Sequence, residues 1–173
     1  TKQGMSPGFF MLMNMISNGS LKILQDEKKT LFSIYFSLCG FILIEDLPQN
    51  QKFNSTYFIQ TILPGIESFY LKFRPKNGLK NVILHNAHPH YFAISKEKIS
   101  EFWLIRLNQP PYSPDICPCE FWLFGYIKEK LKGNHFTSQE ELKNAIIQIL
   151  NEITKEQLLS VYQEWIERLN NVI

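Results

Sequence analysis

The chain lacks any apolar run approaching the roughly 18 residues that cross a bilayer, so a membrane-spanning helix is excluded. The run Phe9 to Ile16 is too short, contains Asn14 and lacks a small-residue cleavage site, which argues against a signal peptide. Cysteine is scarce and odd in number: 3 residues with no paired spacing exclude a disulfide framework and suit a reducing intracellular compartment. Charge of either sign is nearly balanced, and a net +2 is too small to argue nucleic-acid binding by itself. Acids are absent from one long stretch, with no Asp or Glu between Glu67 and Glu97. Repeats, linkers and low-complexity segments are also missing. At 173 residues, 45% hydrophobic and 20% charged, the chain is expected to be one globular α/β domain. It opens with Thr1 rather than Met, from which a fragment or processed chain is expected.

What is present centres on Pro110-Pro111-Tyr112-Ser113-Pro114-Asp115-Ile116-Cys117-Pro118-Cys119-Glu120-Phe121-Trp122-Leu123-Phe124-Gly125. Three prolines in the first five positions force a stiff extended turn. Pro118 then stands where a first helical turn tolerates proline. The helix behind it carries Glu120, Phe124, Ile127 and Leu131 at helical spacing, which puts the carboxylate on the apolar, inward stripe. Taken alone, such an acid merely complements the helix dipole.

Along the rest of the chain, residues 1–20 show no period and receive no assignment. Leu31 to Leu38 and Phe41 to Ile44 read as strands joined by a tight turn at Cys39-Gly40. Asn54 or Ser55 caps a helix in which Phe58, Ile62, Ile66 and Tyr70 recur, and Pro64 is expected to kink or split it. Asn81 to His85 reads as a buried strand, followed by a brief helix over 93–100 and a strand over 102–107. Gly133 stops the Glu120 helix. Ser138 with Glu141 and Thr154 with Gln157 form capping boxes for two covering helices, the second burying Trp165 and Leu169.

The proline-rich segment resembles the signature of mariner-like transposases, close to P-P-Y-S-P-D-L-A-P-S-D-F-x-L-F-G, which carries the third acid of a DDE/DDD triad. FSIYFSLCGFILIEDLPQNQKFNSTYF resembles the same family's second and third strands and the L-P-x-x-x-x-F-N-x-x-Y that follows. The resemblance covers roughly residues 28–173. It implies an RNase H-like fold, a mixed sheet flanked by helices, over 21–173, without the family's first acidic strand and its upstream helix-turn-helix modules. It also implies Mg²⁺- or Mn²⁺-dependent DNA strand cleavage and transfer. The implied partners are transposon-end DNA and a second copy in a homodimer, with no membrane or small-molecule substrate, and the implied location is the nucleus.

Such enzymes use two divalent ions held by carboxylates from the first strand, the end of the fourth and a later helix. Glu120 matches the third, catalytic and metal-ligating. The second belongs to H-x-D-N-A-R-P-H; here the chain reads His85-Asn86-Ala87-His88-Pro89-His90, the Asp is gone, and Asn86 adjoins its place. Asp26, in Asp26-Glu27, is the remaining candidate for the first, and a solvated loop charge is its plainer reading. A degenerate or domesticated, inactive copy is therefore expected. Its DNA-contacting residues would be Lys76, Lys80, Lys128 and Lys132, which also suit an ordinary solvated face. A rival reading takes His85, His88, His90, Cys117 and Cys119 as zinc donors, although Cys-x-Cys is not the usual finger spacing.

Overall fold

In the computed structural model, residues 15–25, 28–47, 54–86, 100–101, 104–107 and 113–171 are described. Five strands form one mixed sheet in the order β3-β2-β1-β4-β5. β1 (Met15–Gln25) pairs antiparallel with β2 (Lys28–Ser37), and β2 pairs antiparallel with β3 (Gly40–Asp46). On its other side β1 runs parallel to β4 (Ile83–Asn86), which runs parallel to β5 (Ile105–Leu107). Gly40 makes the β2–β3 turn at φ 112°, a conformation that side chains with a Cβ resist.

Two sequence expectations need correction here. The Leu31–Leu38 and Phe41–Ile44 strands are not the first of the sheet: β1, in residues that receive no strand assignment or lie before the hairpin, precedes them and holds the middle position. A boundary after residue 20 would cut through β1. Ser17-Asn18-Gly19-Ser20 gives no strand pattern of its own, and pairing on both edges supplies what local preference does not.

Helices cover both faces, as expected. On one, a capped turn (Ser55–Tyr57, with the Asn54 side chain accepting from the Tyr57 amide) leads through a π-helical turn (Phe58–Ile62) into α1 (Leu63–Phe73). The wide turn sits just ahead of Pro64, whose ring lacks a donor and crowds the carbonyl four residues back; the helix accommodates it without breaking. Phe58, Ile62, Leu63, Ile66 and Tyr70 pack there against Tyr35, Val82 and Leu84. On the other face lie the Glu120 segment, a π-helical turn (Cys119–Leu123) continuing into α2 (Phe124–Leu131), then α3 (Gln139–Asn151) and α4 (Lys155–Asn170). Their core joins Phe32, Ile34 and Phe36 to Leu123, Ile127, Leu142, Ile146, Leu158, Tyr162 and Trp165. Successive residues of β2 thus feed opposite cores, the period-2 rule of a strand.

The caps are those the sequence announces, with one exchange. Thr154 and Gln157 form a reciprocal capping box. Ser138 accepts from the Glu141 amide, but the Glu141 carboxylate turns to Thr137 instead, accepting from its amide at 2.7 Å and its hydroxyl at 2.8 Å. The end of β3 is clamped from both sides. Glu45 accepts from the Tyr57 hydroxyl at 3.0 Å, while Asp46 accepts from Lys143 and from Gln139 of α3. Burial, and then Glu45, pushes the Tyr57 hydroxyl up to about 12.

Candidate functional site

The site is assembled where β4 ends and the Glu120 segment begins. β4 delivers His85 into the core, fully buried, its ring against the indole of Trp165 with centroids 4.8 Å apart. Neither His85 nitrogen nor Trp165 Nε1 has a hydrogen-bond partner among the described residues. Cys117 and Cys119 are buried beside them, with the Cys117 sulfur within electrostatic range of the imidazole but short of a formed hydrogen bond. This contact brings the start of the Glu120 helix to the end of β4, one residue before Asn86.

The 3₁₀ turn Pro114–Ile116 precedes that start, its Asp115 carbonyl accepting from Arg168 of α4 at 2.7 Å. The same guanidinium lies over the Phe121 ring, 4.2 Å from its centre. Proline-imposed turn and C-terminal helix therefore fix the helix start jointly. Glu120 donates its amide to the Cys117 carbonyl at 2.9 Å.

The Glu120 side chain departs from expectation. Phe124, Ile127 and Leu131 form a buried stripe, but Glu120 is exposed. The π-helical turn explains the difference: one extra residue per turn rotates positions before it away from the stripe that follows. Partial burial of its carboxyl, followed by the Cys117 sulfur, holds Glu120 above the usual carboxylate range, with Lys128 opposing. Because the residue is exposed overall, solvent screening keeps that effect modest.

Asn86 is the last residue of β4, and its register partner on β1 is Asn18. Asp26 lies outside the described residues; Gln25 before it is seven residues past Asn18, roughly 23 Å further along the strand. His88 and His90 also lie outside. Of the four lysines, Lys128 acts on the Glu120 charge. Lys76 and Lys80 line a shallow cleft with Glu67 and Glu101, in the loop that enters β4 at the end opposite Asn86. Lys128 and Lys132 are exposed on and after α2, eight and twelve residues beyond Glu120.

No family model matches the chain. Its sequence is 28% identical over 144 residues to the human histone-lysine N-methyltransferase SETMAR, a match covering 82% of this chain. The chain spans only 20% of that protein's length. Among solved structures, the catalytic domain of Mos1 mariner transposase superposes with a TM-score of 0.79 at 19% identity, over 91% of this chain and 79% of that one. The fold is that of a mariner transposase catalytic domain. The Mos1 domain with Raltegravir and Mn gives a TM-score of 0.81 at 19% identity, covering 91% and 80% of the two chains. The Mos1 strand transfer complex gives 0.78 at 18%, covering 91% and 53%.

Glu120 is the acid carried by the elements that build this site, β4 and the Cys119–Leu123 turn. Mos1 catalytic domains are solved with Mn and with Mg, so the donor set here was tested for the same fit. It fails: β1 and β4 contain no carboxylate, and amides do not replace the charge that hard cations require. Among the described residues no three His, Cys, Asp or Glu side chains are grouped to hold a metal ion, which also leaves the zinc reading without a site there. The amide at Asn18 was missed from the sequence because β1 itself was missed.

Proposed function

We propose that this mariner-like domain holds DNA without cutting it. The observation that carries the reading is the chemistry of the strands: β1 and β4 offer no carboxylate, and among the described residues no three metal-binding side chains are grouped. Two-metal strand cleavage needs charge and oxygen ligands for both ions, and one exposed carboxylate supplies neither in sufficient number. Glu120 and Asn86 are in this reading remnants of a site.

Support for DNA retention comes from two directions. The relatives include a Mos1 strand transfer complex and a Mos1 paired-end complex with a transposon end. Lys76, Lys80, Lys128 and Lys132 are exposed. Their spread over two regions suits weak, sequence-independent contact that releases counterions rather than base readout. Such a domain works where the DNA is, in the nucleus, as a monomer or in a homodimer.

The test is incubation of the purified protein with supercoiled plasmid and Mg²⁺ or Mn²⁺. Intact supercoils are expected, with retention of DNA that weakens steeply as salt rises. Nicking that disappears in Glu120→Gln would overturn the proposal. Nicking that survives Glu120→Gln belongs to a contaminant or a centre elsewhere.

A further inference from the structure

The head of the Glu120 helix holds two sulfurs. Cys117 and Cys119 stand where the mariner-like signature has Ala and Ser, so the pair is this chain's own. Neither is in a disulfide, both are fully buried, and both belong to the core that includes Trp165. Between them Pro118 is helical, at φ −55° and ψ −31°. Those angles set the Cα separation of its two neighbours at about 5.4 Å, the i to i+2 spacing of a helix. A disulfide spans roughly 4.4–6.8 Å between Cα atoms. Cys117 is itself extended, at φ −107° and ψ 114°, so its side chain does not follow the helical direction that would turn it away from Cys119. Its sulfur lies in hydrogen-bond contact with Cys119.

The surroundings favour a charged sulfur at Cys117. Its carbonyl accepts from the Glu120 amide at 2.9 Å and from the Phe121 amide at 3.0 Å, so the helix starts on this residue. From Cys119 the helix runs through the π-helical turn and α2 to Leu131, and its N-terminal dipole attracts negative charge to the Cys117 end. His85 adds to this from β4. It is fully buried, neither ring nitrogen has a hydrogen-bond partner among the described residues, and its imidazole acts on the Cys117 sulfur. Contact with Cys119, followed by His85 and the Glu120 amide, holds the Cys117 thiol well below its ordinary range in spite of burial.

We propose that Cys117 and Cys119 form a peroxide-sensitive pair that closes reversibly into a disulfide across Pro118. In the first step the Cys117 sulfur attacks one oxygen of hydrogen peroxide, the O–O bond breaks, and the departing hydroxide takes up the thiol's proton as water. Cys117 is then a sulfenic acid, oxidised by two electrons. Cys119 attacks that sulfur, the S–O bond breaks, and the oxygen leaves with the Cys119 proton as a second water. A small thiol reverses the oxidation by thiol–disulfide exchange, returning the two electrons. Peroxide is little larger than water and reaches a buried sulfur through smaller local openings than a bulky disulfide needs. The bridge pins the turn that carries Glu120.

The experiment adds one equivalent of hydrogen peroxide to the wild-type protein at neutral pH, quenches with a maleimide in denaturant and maps the 3 cysteines by mass spectrometry. Cys39 is exposed and serves as the internal reference, since access alone would oxidise it first. Cys117 and Cys119 are expected to be consumed at least about tenfold faster than Cys39, as one species lacking two hydrogens and restored by dithiothreitol. Cys119→Ser should stop at a sulfenic acid on Cys117 that a dimedone probe captures, and Cys117→Ser should leave Cys119 reduced. Where those variants do not fold, the wild-type protein in concentrated urea carries the test, and the preference over Cys39 should vanish with the fold. Oxidation of Cys39 ahead of the pair, a preference that persists in urea, or a product without the Cys117–Cys119 bond overturns the proposal.

Discussion

The helical buttress formed by α3 and α4 and the strand ends around Glu120 lie on the same side of the sheet, and they differ in what holds them. In the buttress, contacts are mutual. Tyr162 donates its buried hydroxyl to the Phe36 carbonyl at 2.9 Å, Trp165 is fully enclosed with its ring 5.2 Å from that of Tyr162, and Asp46 is gripped by Lys143 and Gln139. At the strand ends, Glu120 is exposed and the β1 residue paired with Asn86, the last of β4, is Asn18. The difference teaches that this fold is secured by apolar burial and capped helices, and does not depend on the carboxylates or ions that a cutting enzyme needs. A domain can therefore lose the chemistry and keep the architecture.

The strongest way to break the contrast is at Trp165. Its side chain meets His85, Tyr162 and the β2 core at once, so Trp165→Ala opens a large cavity beneath the site as well as undocking α4. The expected loss is about 3–5 kcal/mol, measured by chemical denaturation. A change below about 1 kcal/mol would mean that α4 does not buttress the sheet. Leu169, expected to be equally enclosed, is only half-buried and should matter less.

A smaller effect sharpens the comparison through pH. Burial raises the Asp46 carboxyl, but Lys143 and then the other hydrogen bonds outweigh it, so Asp46 lies below its ordinary value in the folded state. A depressed folded value means the stabilisation is present above the unfolded carboxylate value, about 3.9, and is lost as pH falls through the folded one. Lys143→Met should remove that acid-limb dependence and cost about 0.2–1 kcal/mol at neutral pH, because the pair is partly exposed. An unchanged acid limb in Lys143→Met would show that the clamp contributes nothing.

How far the sequence could be read follows the same division. Thr154 with Gln157, Asn54, Gly40 and Gly133 act through local chemistry, and each sits where that chemistry puts it. The buttress was legible because its helices carry their own period and their own caps. β1 was not, because Ser17-Asn18-Gly19-Ser20 becomes a strand only between two partners. The outward turn of Glu120 was hidden too: a π-helical turn is a change of phase, and no residue type in Cys119–Leu123 announces it. With β1 went the pairing of Asn18 with Asn86, while Asp26 lies outside the described residues.

The smallest expected effect is the one that separates the two regions most cleanly. Glu120→Gln removes a carboxylate while keeping its shape, and the side chain is exposed. Glu120 is held above its ordinary value, by burial first and then by the Cys117 sulfur. A raised acid is protonated more readily folded than unfolded, so at neutral pH its charge is a slight liability that fades as pH falls toward the carboxylate range. Glu120→Gln should therefore leave stability within about 0.5 kcal/mol of wild type at pH 7, with any change in the stabilising direction. The gap between the two proteins should close as pH is lowered through the carboxylate range, whereas the Asp46 contribution disappears over the same interval. A clear loss of stability at pH 7 would instead place Glu120 among the structural contacts and erase the distinction between buttress and site.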